Sequence, residues 1–126
     1  MSWFAILFKG RINRRTYLFG ALLWFIYLNG FIPLVYLSKF SHLNATVSLV
    51  LVYVWIAFLL IFSFSLQIRR LHDLGQSGLL SLLFLVPLVD LVMAFVLLLK
   101  AGDEKENKYG SPPKPGSGIK ALFPLR

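Results

Sequence analysis

The side chains in this sequence that are best suited to chemistry are few and scattered. The chain has five Asp and Glu residues, two histidines and no cysteine. A metal site needs three or four converging ligands, and without cysteine there can be no thiol nucleophile or zinc–thiolate site. The local signatures of serine hydrolases, zinc proteases, P-loop nucleotide-binding proteins and EF-hands are also absent. The sequence therefore predicts a protein that is not an enzyme and that carries no metal or cofactor.

Asp90 is the most distinctive single residue, because it is the one Asp or Glu within three long apolar stretches that contain no Lys or Arg. An acid at the centre of a bilayer costs about 2.5–3.5 kcal/mol on insertion scales, so it should face other helices. Two interpretations remain open. Asp90 forms an interhelical hydrogen bond with Ser63, Ser65, Thr46 or Ser48, which we favour, or it is a proton or cation site.

His72 and Asp73 are adjacent in a polar stretch that follows the second apolar stretch. They could act as metal ligands, as a base with its orienting acid, or as part of a polar cap. One histidine beside one acid lacks the other ligands that a metal requires. We favour the structural interpretation, in which Asp73 binds the amide groups of the turn.

Arginine pairs precede the first apolar stretch and follow the second. Arg11, Arg14 and Arg15 form the first cluster, and Arg69 and Arg70 form the second. The planar guanidinium group binds phosphate in a bidentate manner, so arginines near a membrane surface suit anionic phospholipid headgroups. The net charge of +8 comes from clusters that flank apolar runs, a pattern of membrane anchoring that does not indicate nucleic-acid binding.

The elements that position these residues are membrane helices. Hydrophobic residues make up 58% of the chain, more than a soluble domain of this size can bury. Residues 17–37, 45–66 and 79–99 each reach the roughly 20 residues that cross a bilayer. We predict an all-α polytopic membrane protein with a helical domain over residues 1–100. It begins with an interfacial segment at residues 2–9 and ends in a polar, Pro/Gly-rich tail over 101–126.

The basic residues orient the chain but leave the third stretch ambiguous. Four of them precede the first stretch and one, Lys39, follows it, so the N-terminal side is predicted to be cytoplasmic. If residues 79–99 span, the basic tail lies outside. If Pro87 breaks them into a re-entrant hairpin, the tail stays inside. We favour spanning, because two other helices can barely cover the irregular backbone of a hairpin.

Three motifs resemble those of one family. GRINRRTY at residues 10–17 resembles the pattern G-R-x-[SN]-R-R-x-[YF]. RRLHDLGQSG at residues 69–78 resembles R-R-L-H-D-x-G-x-S-G. A closing pattern, G-x(4)-N-x-[YF]-G-x-x-P, is matched by Gly102, Asn107, Tyr109, Gly110 and Pro113. The chain thus resembles the bacterial inner-membrane proteins of domain of unknown function 805. The resemblance implies a multi-pass protein of the inner membrane and brings no activity with it.

Together these features predict a non-enzymatic structural or regulatory membrane module. Its expected partners are the bilayer, with anionic phospholipid through the arginine clusters, and a membrane protein or further copies of the chain. The alternative is a small transporter or channel subunit that oligomerises around a path lined by Asp90.

Overall fold

The computed structural model describes residues 7–40, 44–116 and 122 of the chain. These residues form four α-helices: α1 (Arg14–Asn29), α2 (Phe31–Phe40), α3 (Ala45–Asp73) and α4 (Pro87–Leu99). A 3-10 helix, Gly78–Leu85, connects α3 to α4. The described residues contain no β-strand, so the predicted all-α class is confirmed for them. Residues 2–6 of the predicted interfacial segment, 2–9, lie outside the described part.

The first apolar stretch forms α1 and α2 in near-continuous succession. The side chain of Asn13 caps α1, since its Oδ1 accepts a hydrogen bond from the Thr16 N–H at 2.8 Å. Gly30 separates the two helices, and α2 begins at the next residue. Pro33 lies in the first turn of α2, where a backbone N–H has no helical partner to lose, so the interruption falls before the proline.

Helix α3 is the longest element and begins at the capping side chain of Asn44, which accepts from the Val47 N–H at 2.9 Å. Its 29 residues extend for about 44 Å at 1.5 Å per residue, which exceeds a hydrocarbon core of about 30 Å. The apolar part, residues 45–66, is by itself long enough to cross such a core. The arginines of α3 lie in its last two turns, after this apolar part.

Two segments, Arg14–Leu37 and Ala45–Asp73, are long and apolar enough to cross a membrane. Only 6% and 0% of their most apolar windows are buried in the protein. In water, apolar helices this exposed would form a large aggregation-prone surface, whereas in lipid their side chains are solvated. The two helices pack through the rings of Tyr27 and Trp55, which are stacked with centroids 3.9 Å apart.

The third apolar stretch is not the single helix that the sequence predicted over residues 79–99. The chain is extended at Val86, between the 3-10 helix and α4. Pro87 causes this break, because proline disfavours a helical conformation in the preceding residue. Helix α4 has 13 residues and is about 20 Å long, too short to cross a bilayer. A third crossing is therefore not confirmed.

Both ends of this stretch lie at the same end of α3. Gly78 lies against Ile68 and His72. After α4 the backbone is again beside the end of α3, since Arg70 Nε donates to the carbonyl of Leu97 at 2.8 Å. Residues 101–116 contain neither a helix nor a strand, and they fold back over the same end. The few buried apolar side chains also gather there, around Ile12, Leu71 and Leu97.

Candidate functional site

A buried carboxylate at the end of α3 binds two arginines. Arg11 Nε donates to Asp73 Oδ1 at 3.0 Å, and Arg70 Nη1 donates to Asp73 Oδ2. Only 7% of Arg11, 2% of Asp73 and none of Arg70 is exposed. Asp73 and Arg70 are three residues apart on α3 and therefore lie on one helical face. Arg11 comes from the segment before α1, so this ion pair joins two distant parts of the chain.

Arg70 also binds backbone carbonyls before α1 and at the end of α4. Its Nη1 donates to the carbonyl of Ile12 at 3.2 Å. Its Nη2 donates to the carbonyl of Lys100 at 2.6 Å, and its Nε binds Leu97 as described above. The carbonyls at the end of α4 lack partners within that helix, and the guanidinium group supplies donors for them. One side chain thus connects the N-terminal segment, α3 and the end of α4.

Arg11 performs the same role for the tail. Its Nη1 donates to the carbonyls of Lys105 at 2.9 Å and Gly110 at 3.0 Å. Its Nη2 donates to the carbonyl of Asp103. A backbone hydrogen bond of 2.8 Å from the Asp103 N–H to the Asp73 carbonyl fixes the tail against α3. We call Arg11, Arg70, Asp73 and the backbone that they bind the polar knot.

His72 and Asn107 hold the outer side of the polar knot. The imidazole ring of His72 stacks on the ring of Tyr109, with centroids 3.8 Å apart. Its Nδ1 lies 3.3 Å from the carbonyl oxygen of Gly10. Asn107 Nδ2 donates to the His72 carbonyl at 3.0 Å and to Asp103 Oδ2 at 3.0 Å. The histidine is therefore part of a packed contact and does not reach a set of metal ligands.

Two glycines are required where the tail approaches α3 closely. A Cβ added to Gly102 would lie 1.9 Å from Asp73 Oδ2, far inside van der Waals contact. Gly75 has φ +68°, and its added Cβ would lie 2.8 Å from Asp103 Oδ2. A side chain at Gly102 would displace the Asp73 carboxylate of the polar knot, and one at Gly75 would displace the Asp103 carboxylate that accepts from Asn107.

In the polar knot, burial and ion pairing shift the pKa values of the charged side chains in opposite directions. Burial raises the pKa of Asp73, while the guanidinium groups of Arg70 and Arg11 act against that rise. Burial lowers the pKa of Arg70, and the carboxylate of Asp73 opposes that change. Burial also lowers the pKa of His72, and the hydrogen bond of its ring to the carbonyl oxygen of Gly10 opposes that change. Both guanidinium groups therefore depend on Asp73, and removing that carboxylate would leave two charges buried without a counter-ion.

The bonding of the polar knot limits the chemistry that its side chains can do. Both oxygens of Asp73 are bound by arginine, which leaves the carboxylate unsuited to act as a general base. Within the described residues no group of three His, Cys, Asp or Glu side chains could hold a metal ion. The polar knot can hold four parts of the chain together at one end of the helices: the N-terminal segment, α3, the end of α4 and the tail.

Both arginine clusters were expected to contact phospholipid headgroups, but only part of them is exposed. Arg11, Arg69 and Arg70 are buried, and Arg69 Nη1 donates to the carbonyl of Leu122 at 3.2 Å. Arg14 and Arg15 are exposed, although Arg14 Nη1 also donates to the carbonyl of Leu99 at 3.3 Å. The second pair is internal because only the fold brings carbonyls and a carboxylate to it.

The role predicted for Asp73 was also only partly right. Its carboxylate binds arginines, where we expected turn amides, and its backbone carbonyl accepts the amide of Asp103. The sequence did contain signals for the missing partners, since Gly102 and Asn107 belong to the third family motif. Their contact with Asp73 and His72 follows from the return of the chain after α4, which the spanning interpretation placed on the other side of the membrane.

Asp90 lies away from the polar knot, in the first turn of α4. Within the described residues none of the predicted Ser or Thr partners donates to it: Ser65 Oγ donates to the Leu7 carbonyl at 2.5 Å, and Ser63 Oγ accepts from Gln67 Nε2 at 3.2 Å. Thr46 and Ser48 are at the opposite end of α3. The favoured interpretation of Asp90 as a direct interhelical hydrogen-bond donor is therefore wrong for these candidates.

The comparisons with known proteins agree with the motifs. Residues 5–111 match the family described as protein of unknown function (DUF805). Inner membrane protein YhaI of Escherichia coli K12 is 35% identical over 118 residues, which are 87% of this chain and 88% of that protein. Inner membrane protein YhaH of the same organism is 40% identical over 50 residues, covering 40% of this chain and 41% of its own. No solved structure matches significantly. The polar knot is built from the motifs that suggested the family, and the match across most of the chain confirms it: this protein belongs to the DUF805 family.

Proposed function

We propose that this chain is a multi-pass inner-membrane protein with two crossings and one re-entrant hairpin. The first crossing is formed by α1 and α2 and the second by α3. The 3-10 helix and α4 enter the membrane and return to the side they left. The carrying observation is the hydrogen bonding of Arg70 to both Ile12 and Lys100, which places the start of α1 and the end of α4 at one end of α3. The names of the YhaI and YhaH relatives support the inner membrane as the location.

The charge distribution supports the same topology. Apart from Lys39, every Lys and Arg of the chain lies before or at the start of α1, at the end of α3, or after α4. A hairpin places all of these residues on one side, whereas a third crossing divides them. Basic residues in short loops remain in the cytoplasm, so the polar knot lies on the cytoplasmic face.

The role that we propose is non-enzymatic. The polar knot is a rigid cap that holds exposed basic side chains, Lys9, Arg14 and Arg15, at the level of the cytoplasmic headgroups. Each such charge near an anionic membrane surface contributes about 1 kcal/mol. Three on one rigid cap suit it to recruit anionic phospholipid, or to dock an acidic surface of a membrane-protein partner.

Fusions to topology reporters test the membrane path. A reporter placed after Gly78 and one placed after Arg126 should both report the cytoplasm, and one placed in the loop after Lys39 should report the periplasm. The signal after Arg126 is decisive. If it is periplasmic while the Gly78 fusion remains cytoplasmic, residues 79–99 cross the membrane and the hairpin is refuted.

The lipid contact is tested by charge removal at the exposed arginines. Arg14→Gln plus Arg15→Gln should reduce the anionic phospholipid that co-purifies with the protein, while helix content is retained. Lys108→Gln plus Lys114→Gln is a matched control, because it removes the same charge from exposed tail positions. Equal lipid loss in both pairs would indicate unspecific attraction and would remove the proposed role of the cap.

A further inference from the structure

A cavity of about 250 Å³ opens between α1, α3 and α4, on the membrane side of the polar knot. It is lined by Tyr17, Trp24 and Phe25 from α1, Gln67 from α3 and Asp90 from α4. A water molecule occupies about 30 Å³ of liquid, so the space exceeds one or two structural waters and would hold a small polar group. The exposed faces of the surrounding helices are apolar, so the cavity is open to lipid chains.

Several polar groups that line this cavity lack a hydrogen-bonding or charged partner within the described residues. Among the described residues, the carboxylate of Asp90 has neither a hydrogen bond nor an ion pair, and no Lys, Arg or His lines the space. The side-chain carbonyl of Gln67 is a second acceptor, since the amide nitrogen of the same side chain already donates a hydrogen bond to Ser63 Oγ. Trp24 Nε1 is buried and lacks a hydrogen-bond partner within the described part of the chain. The cavity therefore offers an acid and an amide oxygen without a cation.

The walls of the cavity add a second preference. Three of its lining residues, Tyr17, Trp24 and Phe25, are aromatic, and aromatic faces attract cations through their negative π surface. A carboxylate surrounded by aromatic rings is the usual chemistry for binding an ammonium group. A bound cation would also neutralise an acid that membrane burial otherwise disfavours.

We propose that this cavity binds the ammonium group of an amphiphile, with Asp90 as its counter-ion and the aromatic residues as its walls. The apolar chain of the ligand leaves between the helices and lies against lipid-exposed side chains such as Leu91 of α4, which is 59% exposed. An ethanolamine phospholipid and a free alkylamine share this chemistry. This site is independent of the lipid contact proposed for Arg14 and Arg15.

The test compares a charged amphiphile with its neutral isostere. Dodecylammonium and dodecanol are titrated separately against the purified protein in maltoside detergent, and thermal unfolding is followed. Dodecylammonium should raise the unfolding temperature and dodecanol should not. Asp90→Asn should require about tenfold or more dodecylammonium for the same shift, because it loses a charge-assisted hydrogen bond. Glu104→Gln, which neutralises an exposed acid of the tail, should respond like the unaltered protein.

A second variant keeps the test decisive if Asp90→Asn does not fold. Trp24→Leu retains the carboxylate but removes an aromatic wall, and it should also weaken the response. An unaltered protein that ignores dodecylammonium, or that responds equally to dodecanol, would overturn the proposal, as would an undiminished response in Asp90→Asn. Native mass spectrometry then separates the sources. An ethanolamine phospholipid adduct displaced by dodecylammonium identifies a lipid ligand, and a response without such an adduct identifies a free amine.

Discussion

Replacing Arg70 with lysine separates an internal connector from a surface anchor, because the substitution preserves the charge and changes the number of donors. Arg70 uses three nitrogens to reach Asp73 and the carbonyls of Ile12, Leu97 and Lys100. A lysine ammonium is a single point and cannot reproduce this fork. If it retains Asp73, at least two buried carbonyls lose their donor.

The expected cost follows from those lost donors. A buried polar group left without a partner costs about 1–3 kcal/mol, so two of them give a destabilisation of about 3 kcal/mol. The tail is the segment that opens most readily, since its contacts with α3 run through the polar knot. A change of about 3 kcal/mol raises the open fraction about a hundredfold, at a factor of ten for each 1.4 kcal/mol.

Proteolysis of the tail measures this fraction directly. A glutamate-specific protease cleaves after Glu104 and Glu106, and these sites are unaffected by an Arg-to-Lys change. Cleavage of the detergent-solubilised Arg70→Lys protein should be about a hundredfold faster than that of the unaltered protein. Arg15→Lys, at an exposed position, is the matched control and should be cleaved at the unaltered rate. Equal rates in the two variants would refute the argument that Arg70 is an internal connector.

Three further predictions probe other parts of the fold. Gly102→Ala should release the tail in the same protease assay, because its Cβ would overlap the carboxylate of Asp73; overpacking typically costs about 1–3 kcal/mol. Acidification should weaken the His72–Tyr109 contact. Burial lowers the pKa of His72, so the unfolded chain takes up a proton before the folded protein does, and folding stability is lost as the pH falls below about 6.5. In measurements of unfolding against pH, His72→Gln should abolish this loss. Asn13→Ala should cost about 1 kcal/mol in chemical unfolding through loss of the α1 cap, and a neutral result would contradict the capping role.

The local features of the fold could be predicted from the sequence. Asn13 precedes a long apolar stretch and is of a residue type that favours the N-cap position, and it caps α1. Three stretches of sufficient length and hydropathy were expected to form membrane helices, and two of them, α1–α2 and α3, have that character. Such predictions succeed because capping and hydropathy depend on residues that are close in the sequence.

For the third apolar stretch, composition alone does not predict the path of the chain. Residues 79–99 have the length and hydropathy of a span, and only the position of Pro87 marks the break. Whether a proline kinks a spanning helix or begins a returning one depends on what receives the chain afterwards. Here the carbonyls of Leu97 and Lys100 are bound by Arg70, and that contact exists only in the tertiary structure.

The arginines illustrate the same division. Hydropathy and charge along the sequence indicate a chain that is apolar, helical and basic at the ends of its helices, because these properties depend on residues close together in the chain. Which arginines face outwards depends on the tertiary structure. Arg14 and Arg15 are exposed, while Arg11 and Arg70 are buried on Asp73. For Arg11 and Arg70 a carboxylate and several carbonyls replace the lost water, and their convergence joins segments about 60 to 100 residues apart in the chain.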